Sequence, residues 1–287
     1  MRLKALLPRA WNASPLRLVG PAGQGDFPWS PLQMARNVVS RLTEPFDPVP
    51  CILNGEDAAP DFSLLCVYRR QNAANVEALG IPREVSYLWG LDGQIPRLME
   101  STRGVGPGTR FFLLNKLYRM CPPGWIVVID DDVRLTRGTL AQAVRVAALG
   151  EIDLCSISHS RWSFLNWGTT LHRNGAVARL TRYVEQGPCV ILSPRAREQI
   201  LPFPEDIGMG WGVEASWATH ADLRLGIIDA VHLRHLKAVS PSGYDVDAEW
   251  ERALQLLAAT GAETWADLQK VSATWRADER VAPWLVS

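Results

Sequence analysis

The sequence lacks most features that mark secreted, membrane-spanning or nucleic-acid-binding proteins. Its five cysteines are odd in number, widely spaced and form no C-x-x-C pair, which argues against a disulfide framework or a structural zinc site. No stretch approaches the roughly 18 uncharged apolar residues of a membrane-spanning helix. Thirty basic and thirty acidic side chains cancel, so no general positive charge attracts nucleic acid. We therefore expect a cytoplasmic protein without a nucleic-acid partner.

The amino terminus begins like a signal peptide but does not continue as one. Pro8 and Arg9 interrupt its apolar stretch too soon for the apolar region of such a peptide. Residues 1–20 also carry four basic side chains and no acidic one. This composition leaves a weak peripheral contact with a membrane surface open, beside the simpler expectation of a solvated tail.

By composition the chain divides into three parts. Residues 1–60 are rich in Pro and Gly, with a short helical candidate at 32–42, and predict an extension wrapped on the core. Residues 61–240 alternate apolar runs with amphipathic stretches, which is typical of a sheet covered by helices. Residues 241–287 predict a helical segment packed on that core. The 47% of hydrophobic residues is enough for one large domain with appendages.

Within the predicted core, strands and helices alternate along the chain. Most strand candidates are short and apolar on both faces, as buried strands are. They lie at 62–68, 85–91, 125–129, 153–157, 189–192 and 225–228. Thr109 and Thr139 are the expected N-caps of two intervening helices. The alternation predicts an α/β fold with an open, mainly parallel, twisted sheet flanked by helices.

An acidic triplet directly follows one of these buried strands. In W-I-V-V-I-D-D-D-V-R, five apolar residues lead into Asp130, Asp131 and Asp132. Adjacent carboxylates repel one another and resist burial, so such a cluster normally needs a cation. Ligands of open α/β sheets collect at the carboxyl ends of strands, where this triplet stands. The alternative is a solvated acidic turn neutralised by Arg134 and Arg137.

Alternation of side chains along the strand sends Asp130 and Asp132 to one side and Asp131 to the other. Two carboxylates on one side can share an ion, and oxygen ligands favour Mg²⁺ or Mn²⁺ while leaving positions for a diphosphate. We therefore predict Asp130 and Asp132 as metal ligands, with Asp130 and Asp131 beside a nucleotide diphosphate.

The strand, the D-x-D pair and the segments after it resemble glycosyltransferases of the GT-A fold, close to family 2. The resemblance covers about residues 62–240 and implies a Rossmann-like nucleotide-diphospho-sugar transferase fold. It also implies a nucleotide-sugar donor, most simply a UDP-sugar, together with Mn²⁺ or Mg²⁺. In that family the first strand and its loop cradle the nucleobase, which corresponds to Tyr68 and Arg69 here. An Asp after the second strand resembles Asp92.

A glycine-rich stretch, 104–108, precedes Thr109 and Arg110 at a predicted helix start. Backbone N–H groups at that position and the Arg110 guanidinium suit a phosphate, although a plain turn explains the glycines equally well. A Walker loop is excluded because the G-K-[ST] ending is absent.

Further along, G-W-G-V-E resembles a G-W-G-x-E segment of inverting family members. The resemblance implies that Glu214 removes the acceptor proton and that Trp211 stacks on an acceptor sugar. Many relatives have Glu-Asp where this chain has Glu214 and Ala215, so Asp206 and Asp222 stay open as alternative bases. A structural alternative is that Glu214 complements the positive end of the following helix.

The last segment of the resemblance ends in H-L-R-H, and many GT-A enzymes place a metal-binding His after the last strand. His232 and His235 compete for this role. We favour His235, because Lys237 and Tyr244 follow it and can reach the diphosphate. Imidazole suits Mn²⁺ well, whereas a purely structural His is the alternative.

Together these features imply a metal-dependent, inverting and non-processive glycosyltransferase acting on a glycan, lipid-linked or protein acceptor. The Q-x-x-R-W motif of processive synthases is missing. Three alternatives remain: a D-x-D phosphohydrolase, a sugar nucleotidyltransferase and a sugar-binding protein without turnover. Arg134 stands where the phosphohydrolase needs Thr or Val, and residues 66–71 lack the Gly-rich basic pattern of the nucleotidyltransferase.

Overall fold

A computed structural model describes residues 58–160, 163–164, 167–208, 210–237 and 245–286. The predicted N-terminal extension, except for its last three residues, lies outside the described residues, and so does Tyr244. No helix of the described ranges is long and apolar enough to cross a bilayer.

In the described part of the chain, ten strands join into one sheet. They are β1 (Phe62–Tyr68), β2 (Ser86–Gly90), β3 (Thr102–Val105), β4 (Trp125–Ile129), β5 (Val133–Arg137), β6 (Leu154–His159), β7 (Ala176–Thr181), β8 (Cys189–Leu192), β9 (Leu225–His235) and β10 (Val271–Arg276). The order across the sheet is β10-β7-β9-β6-β8-β4-β1-β2-β3, and β5 pairs with β9 beside this path.

Helices flank the sheet. The α-helices of the described residues are α1 (Ala73–Glu77), α2 (Arg110–Tyr118), α3 (Leu140–Leu149), α4 (Pro194–Ile200), α5 (Val213–Trp217), α6 (Val246–Ala259) and α7 (Trp265–Leu268). Thr139 forms the expected N-cap of α3, in a capping box with Gln142. Thr109 occupies the N-cap position of α2, but its side chain makes no capping hydrogen bond.

The predicted α/β class, with an open sheet between helices, is confirmed. Parallel pairing runs from β3 through β2 and β1 to β4, and it also joins β6 to β9. The remaining pairs, which involve β5, β7, β8 and β10, are antiparallel. The sheet is therefore parallel in its first half and mixed in its second.

Successive residues of the central strand β4 point alternately into two separate apolar layers, one on each face of the sheet. Val127 and Ile129 pack on the side of α3, whereas Ile126 and Val128 pack against the buried face of α2. These four side chains of β4 are at most 2% exposed, and Trp125 at its start is partly buried. Burial on both faces explains why β4 reads as an uninterrupted apolar run and why its first polar residue, Asp130, marks the sheet edge.

β9 extends seven residues beyond its predicted end, because the buried Asp229 is neutralised inside the sheet. Arg179 on β7 donates from Nε to Asp229 at 2.6 Å, and both side chains are at most 1% exposed. From the sequence alone, a carboxylate at this position argues against a buried strand, because an unpaired charge is costly to bury. Its partner lies 50 residues earlier in the chain, and the pairing carries β9 on to His235.

Candidate active site

Four segments meet at the edge of the sheet where β4 ends. The aspartate triplet follows β4, His235 ends β9, residues 182–188 lead into β8, and α5 begins at Val213. β8 runs antiparallel to β4, so the segment preceding β8 reaches the edge at which β4 finishes. The Asp130 N–H donates to Pro188 O at 2.8 Å, which joins two of these segments directly.

Asp130 forms an ion pair with Arg110, the first residue of α2. Arg110 donates from Nε to Asp130 Oδ1 at 2.9 Å, and its Nη2 lies 2.8 Å from the same oxygen. The guanidinium also donates from Nη1 to Gln186 Oε1 at 2.5 Å. A Cβ at Gly187 would come within 3.1 Å of Asp130 Oδ2, so the absence of a side chain allows this close approach. Both carboxylate and cation stay partly exposed.

Asp131 points away from this pair and shapes the turn after β1. Its Oδ2 accepts from the Arg69 N–H at 2.7 Å, and the residue is 3% exposed. Burial raises the pKa of Asp131, against the lowering effect of hydrogen bonds from the Arg69 N–H and the Asn72 side chain. In the described structure this carboxylate holds the backbone of the turn, and its expected place beside a diphosphate stays a prediction.

Asp92 holds the next backbone N–H of the same turn, since its Oδ1 accepts from Arg70 N–H at 2.7 Å. The Arg69 side chain stays 55% exposed and extends beside Asp131, at 3.8 Å between Nη1 and Oδ1. Tyr68 differs from the prediction. It is fully buried and shares a 3.0 Å hydrogen bond with the Thr102 hydroxyl, so its ring belongs to the core and presents no face to a nucleobase.

Asp132 lies beside His235. Their Oδ1 and Nε2 atoms are 3.1 Å apart, and both side chains are largely buried. Burial works against both charged forms, but the mutual hydrogen bond and attraction prevail, so the pKa of Asp132 is lowered and the pKa of His235 is raised. His232 instead packs against the His172 ring at 4.4 Å between centroids, away from the triplet.

The predicted set of three metal ligands is not assembled. Among the described residues, no three His, Cys, Asp or Glu side chains converge as a metal cluster would. The reason is the competing pairing of the two outer aspartates: Arg110 holds Asp130, whereas His235 holds Asp132. The structure thus brings together one carboxylate and one imidazole, with Asp130 committed to a guanidinium.

A series of buried polar side chains is hydrogen-bonded to the backbone of His235. The His235 N–H donates to Ser163 Oγ at 2.8 Å, and His159 Nδ1 lies 2.6 Å from the same oxygen. His159 Nε2 is 3.6 Å from Glu185 Oε2, and burial lowers the pKa of His159 to about 3. Ser163, His159 and Glu185 are at most 4% exposed, so this Ser–His–Glu series supports the site rather than offering a nucleophile.

Glu214 stands at the start of α5 and is 6% exposed. Its carboxylate accepts from the Gly212 N–H at 3.0 Å and from the Gln186 N–H at 3.4 Å. Burial raises the pKa of Glu214 to about 7, although these N–H groups and the charge of Arg110 favour the ionised form. A carboxyl group that titrates near neutrality is suited to exchange protons.

The alternative bases differ from Glu214 in their surroundings. Asp206 is exposed and pairs with Arg252 of α6. Asp222 is exposed, pairs with Arg195, and lines a groove beside the starts of β6 and β9, at the edge opposite the triplet. Ala215 is fully buried among the residues that connect α5 and α6. Of these positions, only Glu214 contacts the segment that also touches Asp130.

Trp211 precedes Glu214 by three residues and belongs to an aromatic group. Its ring meets that of Trp250 edge-on, with centroids 6.4 Å apart. Trp265 and Trp167 continue the group, which reaches Tyr183. Trp211 and Trp250 are only partly buried. They therefore leave part of an aromatic surface near the carboxylate of Glu214.

Sequence reasoning missed Glu185, Gln186 and Asn72. Gln186 touches both Arg110 and Glu214, and Asn72 accepts from Lys237 Nζ at 2.9 Å while also contacting Asp131. The sequence did contain a signal for Glu185 and Gln186. E-Q-G-P directly precedes a buried strand, and polar residues there face the same edge of the sheet as the triplet.

The buried carboxyl group makes stability depend on pH. Burial raises the pKa of Glu214 from 4.5 to about 7. Between these two pH values Glu214 is protonated in the folded protein and ionised in the unfolded chain, so the folded state is stabilised by low pH. The Glu214 contribution to the free energy of unfolding should fall by roughly 3 kcal/mol as the pH rises through that window. His159 acts in the opposite direction below about pH 6.5, because its pKa is lowered in the folded protein, so the Glu214 contribution is read as the difference between the parent protein and Glu214→Gln. Urea denaturation from about pH 5 to about pH 8 measures this change. Glu214→Gln should lack it, and identical slopes in both proteins would contradict the assigned shift.

No protein-family model matches this chain, and no curated protein matches it. Similar solved structures exist. Residues 1–349 of S. aureus TarS in complex with UDP share 14% identity over 71% of this chain and 67% of that one, with a TM-score of 0.47. The mannosyltransferase PcManGT from Pyrobaculum calidifontis, in complex with GDP-Man and Mn²⁺, shares 14% over 80% and 74%, with a TM-score of 0.46. GalNAc-T7 with UDP, GalNAc and Mn²⁺ shares 8% over 69% and 48%, with a TM-score of 0.46. The chain spans only 39% of another S. aureus TarS structure.

Proposed function

We propose that the chain is a metal-dependent glycosyltransferase that moves one sugar from a nucleotide-diphosphate sugar to an acceptor hydroxyl. The observation that carries this proposal is the adjacent pair of Asp132 and His235 at the carboxyl edge of the sheet, with the cations Arg110 and Lys237 around it. One site then combines groups for a divalent cation with groups for a diphosphate.

Asp132 and His235 fit a cation held by two protein groups. Two neighbouring ligands of an octahedral ion, each about 2.1 Å from it, are separated by about 3 Å. The observed 3.1 Å between Oδ1 and Nε2 agrees with that spacing. One carboxylate with one imidazole suits Mn²⁺ and leaves coordination positions for diphosphate oxygens and water. When bound, the ion would neutralise charge that grows on the departing nucleoside diphosphate.

In this proposal Arg110 is the diphosphate clamp, and Asp130 positions it. The guanidinium is partly exposed and stands at the start of α2, so it can contact an anion without leaving the site. Its ion pair with Asp130 fixes its orientation before a ligand arrives. Lys237 adds a second cation, since its charge also acts on Asp132. Asp130 thus contributes through Arg110 rather than as a metal ligand.

The turn after β1 is the proposed nucleobase site. Asp131 and Asp92 hold the N–H groups of Arg69 and Arg70, which fixes the backbone of that turn. The exposed Arg69 guanidinium remains available to the base, ribose or phosphate of a UDP-sugar. Tyr68 supports this turn from within the core.

Glu214 is the proposed base. It takes the proton of the acceptor hydroxyl as the oxygen attacks the anomeric carbon opposite the departing diphosphate, and such displacement inverts the configuration of the sugar. Glu214 fits this role because its pKa lies near 7 and it shares Gln186 with the diphosphate clamp. The partly buried Trp211 offers an apolar face for an acceptor sugar. A glycan, a lipid-linked sugar and a protein side chain all fit this description.

The test is incubation with a panel of nucleotide sugars, with and without Mn²⁺. We expect nucleoside diphosphate to be released from one or a few donors, faster when Mn²⁺ and a sugar acceptor are present. Release of inorganic phosphate would indicate the phosphohydrolase, and consumption of a nucleoside triphosphate the nucleotidyltransferase. Binding of donors without any turnover would indicate a sugar-binding protein. Each of these three outcomes overturns the proposal.

A further inference from the structure

One face of the molecule, formed by α2 and the edge strand β3, carries exposed apolar side chains beside cations. We call it the α2–β3 face, and it comprises Arg103, Val105, Phe112, Lys116, Arg119 and Met120. Phe112 is 37% exposed, Val105 48% and Met120 50%. Scattered single apolar groups are ordinary on a surface, whereas several on one face point to a contact.

Two of the three cations of this face, Arg103 and Lys116, lie over aromatic rings. Lys116 Nζ lies 4.4 Å from the centroid of Phe112 and 5.1 Å from that of Trp89. Arg103 Cζ lies 5.2 Å from the Tyr87 centroid. Tyr87 and Trp89 are two residues apart on β2, so they point to the same side of the sheet. The contacts of Lys116 with Trp89 and of Arg103 with Tyr87 therefore lie on the side of the sheet that α2 covers.

Negative charge is scarce on this face, although the exposed Glu205 accepts from Asn115 Nδ2 on α2 at 2.9 Å. No Asp or Glu occurs between Glu100 and Asp130 in the sequence. Within the described residues, Arg103, Lys116 and Arg119 form no ion pair with a carboxylate. Three cations without acidic partners, placed among exposed apolar groups, complement an anionic surface that has an apolar interior.

We propose that the α2–β3 face binds the surface of an anionic lipid bilayer. Lysine and arginine would contact the headgroups, while Phe112 and Met120 enter the boundary between headgroups and acyl chains. A single-stranded nucleic acid fits less well, because bases need open aromatic faces. Here Lys116 and Arg103 cover the rings of Trp89 and Tyr87. Since α2 begins at Arg110, the bilayer would lie beside the candidate active site, but the proposal does not depend on sugar transfer.

The experiment is flotation of the full chain with vesicles of phosphatidylcholine, either alone or mixed with phosphatidylglycerol. We expect binding to the mixed vesicles only, and weaker binding at high salt. The double variant Lys116→Glu with Arg119→Glu should bind the mixed vesicles at least about tenfold more weakly, since each basic residue near an anionic surface contributes several-fold. Thermal unfolding checks that both proteins are folded.

The matched control is Arg276→Glu with Arg280→Glu, which changes the net charge equally. Both residues are exposed near β10, at the opposite edge of the sheet, and this variant should bind like the parent. A second variant, Phe112→Ser with Met120→Ser, keeps the charge and should also lose affinity. If both charge variants lost affinity for the mixed vesicles equally, net charge rather than the α2–β3 face would explain the binding. That result, or no binding of the parent chain to mixed vesicles, overturns the proposal.

Discussion

Asp132→Ala should abolish the Mn²⁺-dependent part of UDP binding. In the proposed site the cation has only two protein ligands, so removing the carboxylate leaves one imidazole, which cannot hold the ion. Isothermal titration of UDP with and without Mn²⁺ should show the metal effect in the parent protein and none in the variant. Binding of Mn²⁺ followed by electron paramagnetic resonance gives a readout that is independent of turnover.

Two matched variants separate this role from general loss of negative charge. Asp222→Ala removes an exposed carboxylate at the opposite edge of the sheet and should change nothing. Asp130→Ala should weaken UDP binding through Arg110 but keep its dependence on Mn²⁺. If Asp130→Ala, rather than Asp132→Ala, removed the dependence on Mn²⁺, the two-ligand site would be wrong.

Glu214→Gln should lower the turnover number by roughly 10²-fold or more, as the loss of a general base does, and leave the affinity for UDP and Mn²⁺ unchanged. The amide keeps the shape of the side chain but cannot take a proton. In the parent protein the rate should fall as the pH drops below about 7, because the pKa of Glu214 is raised to about 7 and protonation removes the base. The residual rate of the variant should lack this dependence.

Asp206→Asn is the informative comparison for the base. Asp206 is exposed and paired with Arg252, and its pKa is lowered by that contact, so it is a weak proton acceptor at neutral pH. We expect near-parental turnover from this variant. A large loss in Asp206→Asn together with an active Glu214→Gln would move the base to Asp206.

The sequence predicted the parts of the fold that depend on local apolar patterning. β1, β4, β6, β8 and α3 form close to their expected positions, because buried strands and an amphipathic helix with a capping box leave local traces. The second half of the sheet was less predictable. β7 and β10 pair antiparallel although their partner residues are 90 (Val271 and Thr181) to 100 (Arg276 and Ala176) positions apart in the chain. Asp229 is tolerated inside β9 because the distant Arg179 donates to it.

The residues of the site were likewise only partly predictable from the sequence. The presence of Asp130, Asp132, Glu214 and His235 at one sheet edge follows from strand ends and motif order. Which carboxylate meets which cation does not follow, because Arg110 is brought to Asp130 by the packing of α2. The burial of Tyr68 is also a tertiary effect: its ring fills the space next to Thr102 of β3, and nothing local distinguishes it from a ligand-facing residue.

The position of Gln186 has a consequence for the order of substrates. Its side chain accepts from Arg110, and its backbone N–H holds Glu214. A single residue, Gln186, therefore contacts both the proposed diphosphate clamp and the proposed base. If the nucleotide shifts Gln186 when it binds Arg110, it also shifts a hydrogen-bond donor of the Glu214 carboxylate. We therefore expect an ordered sequential kinetic scheme, in which the nucleotide sugar binds before the acceptor.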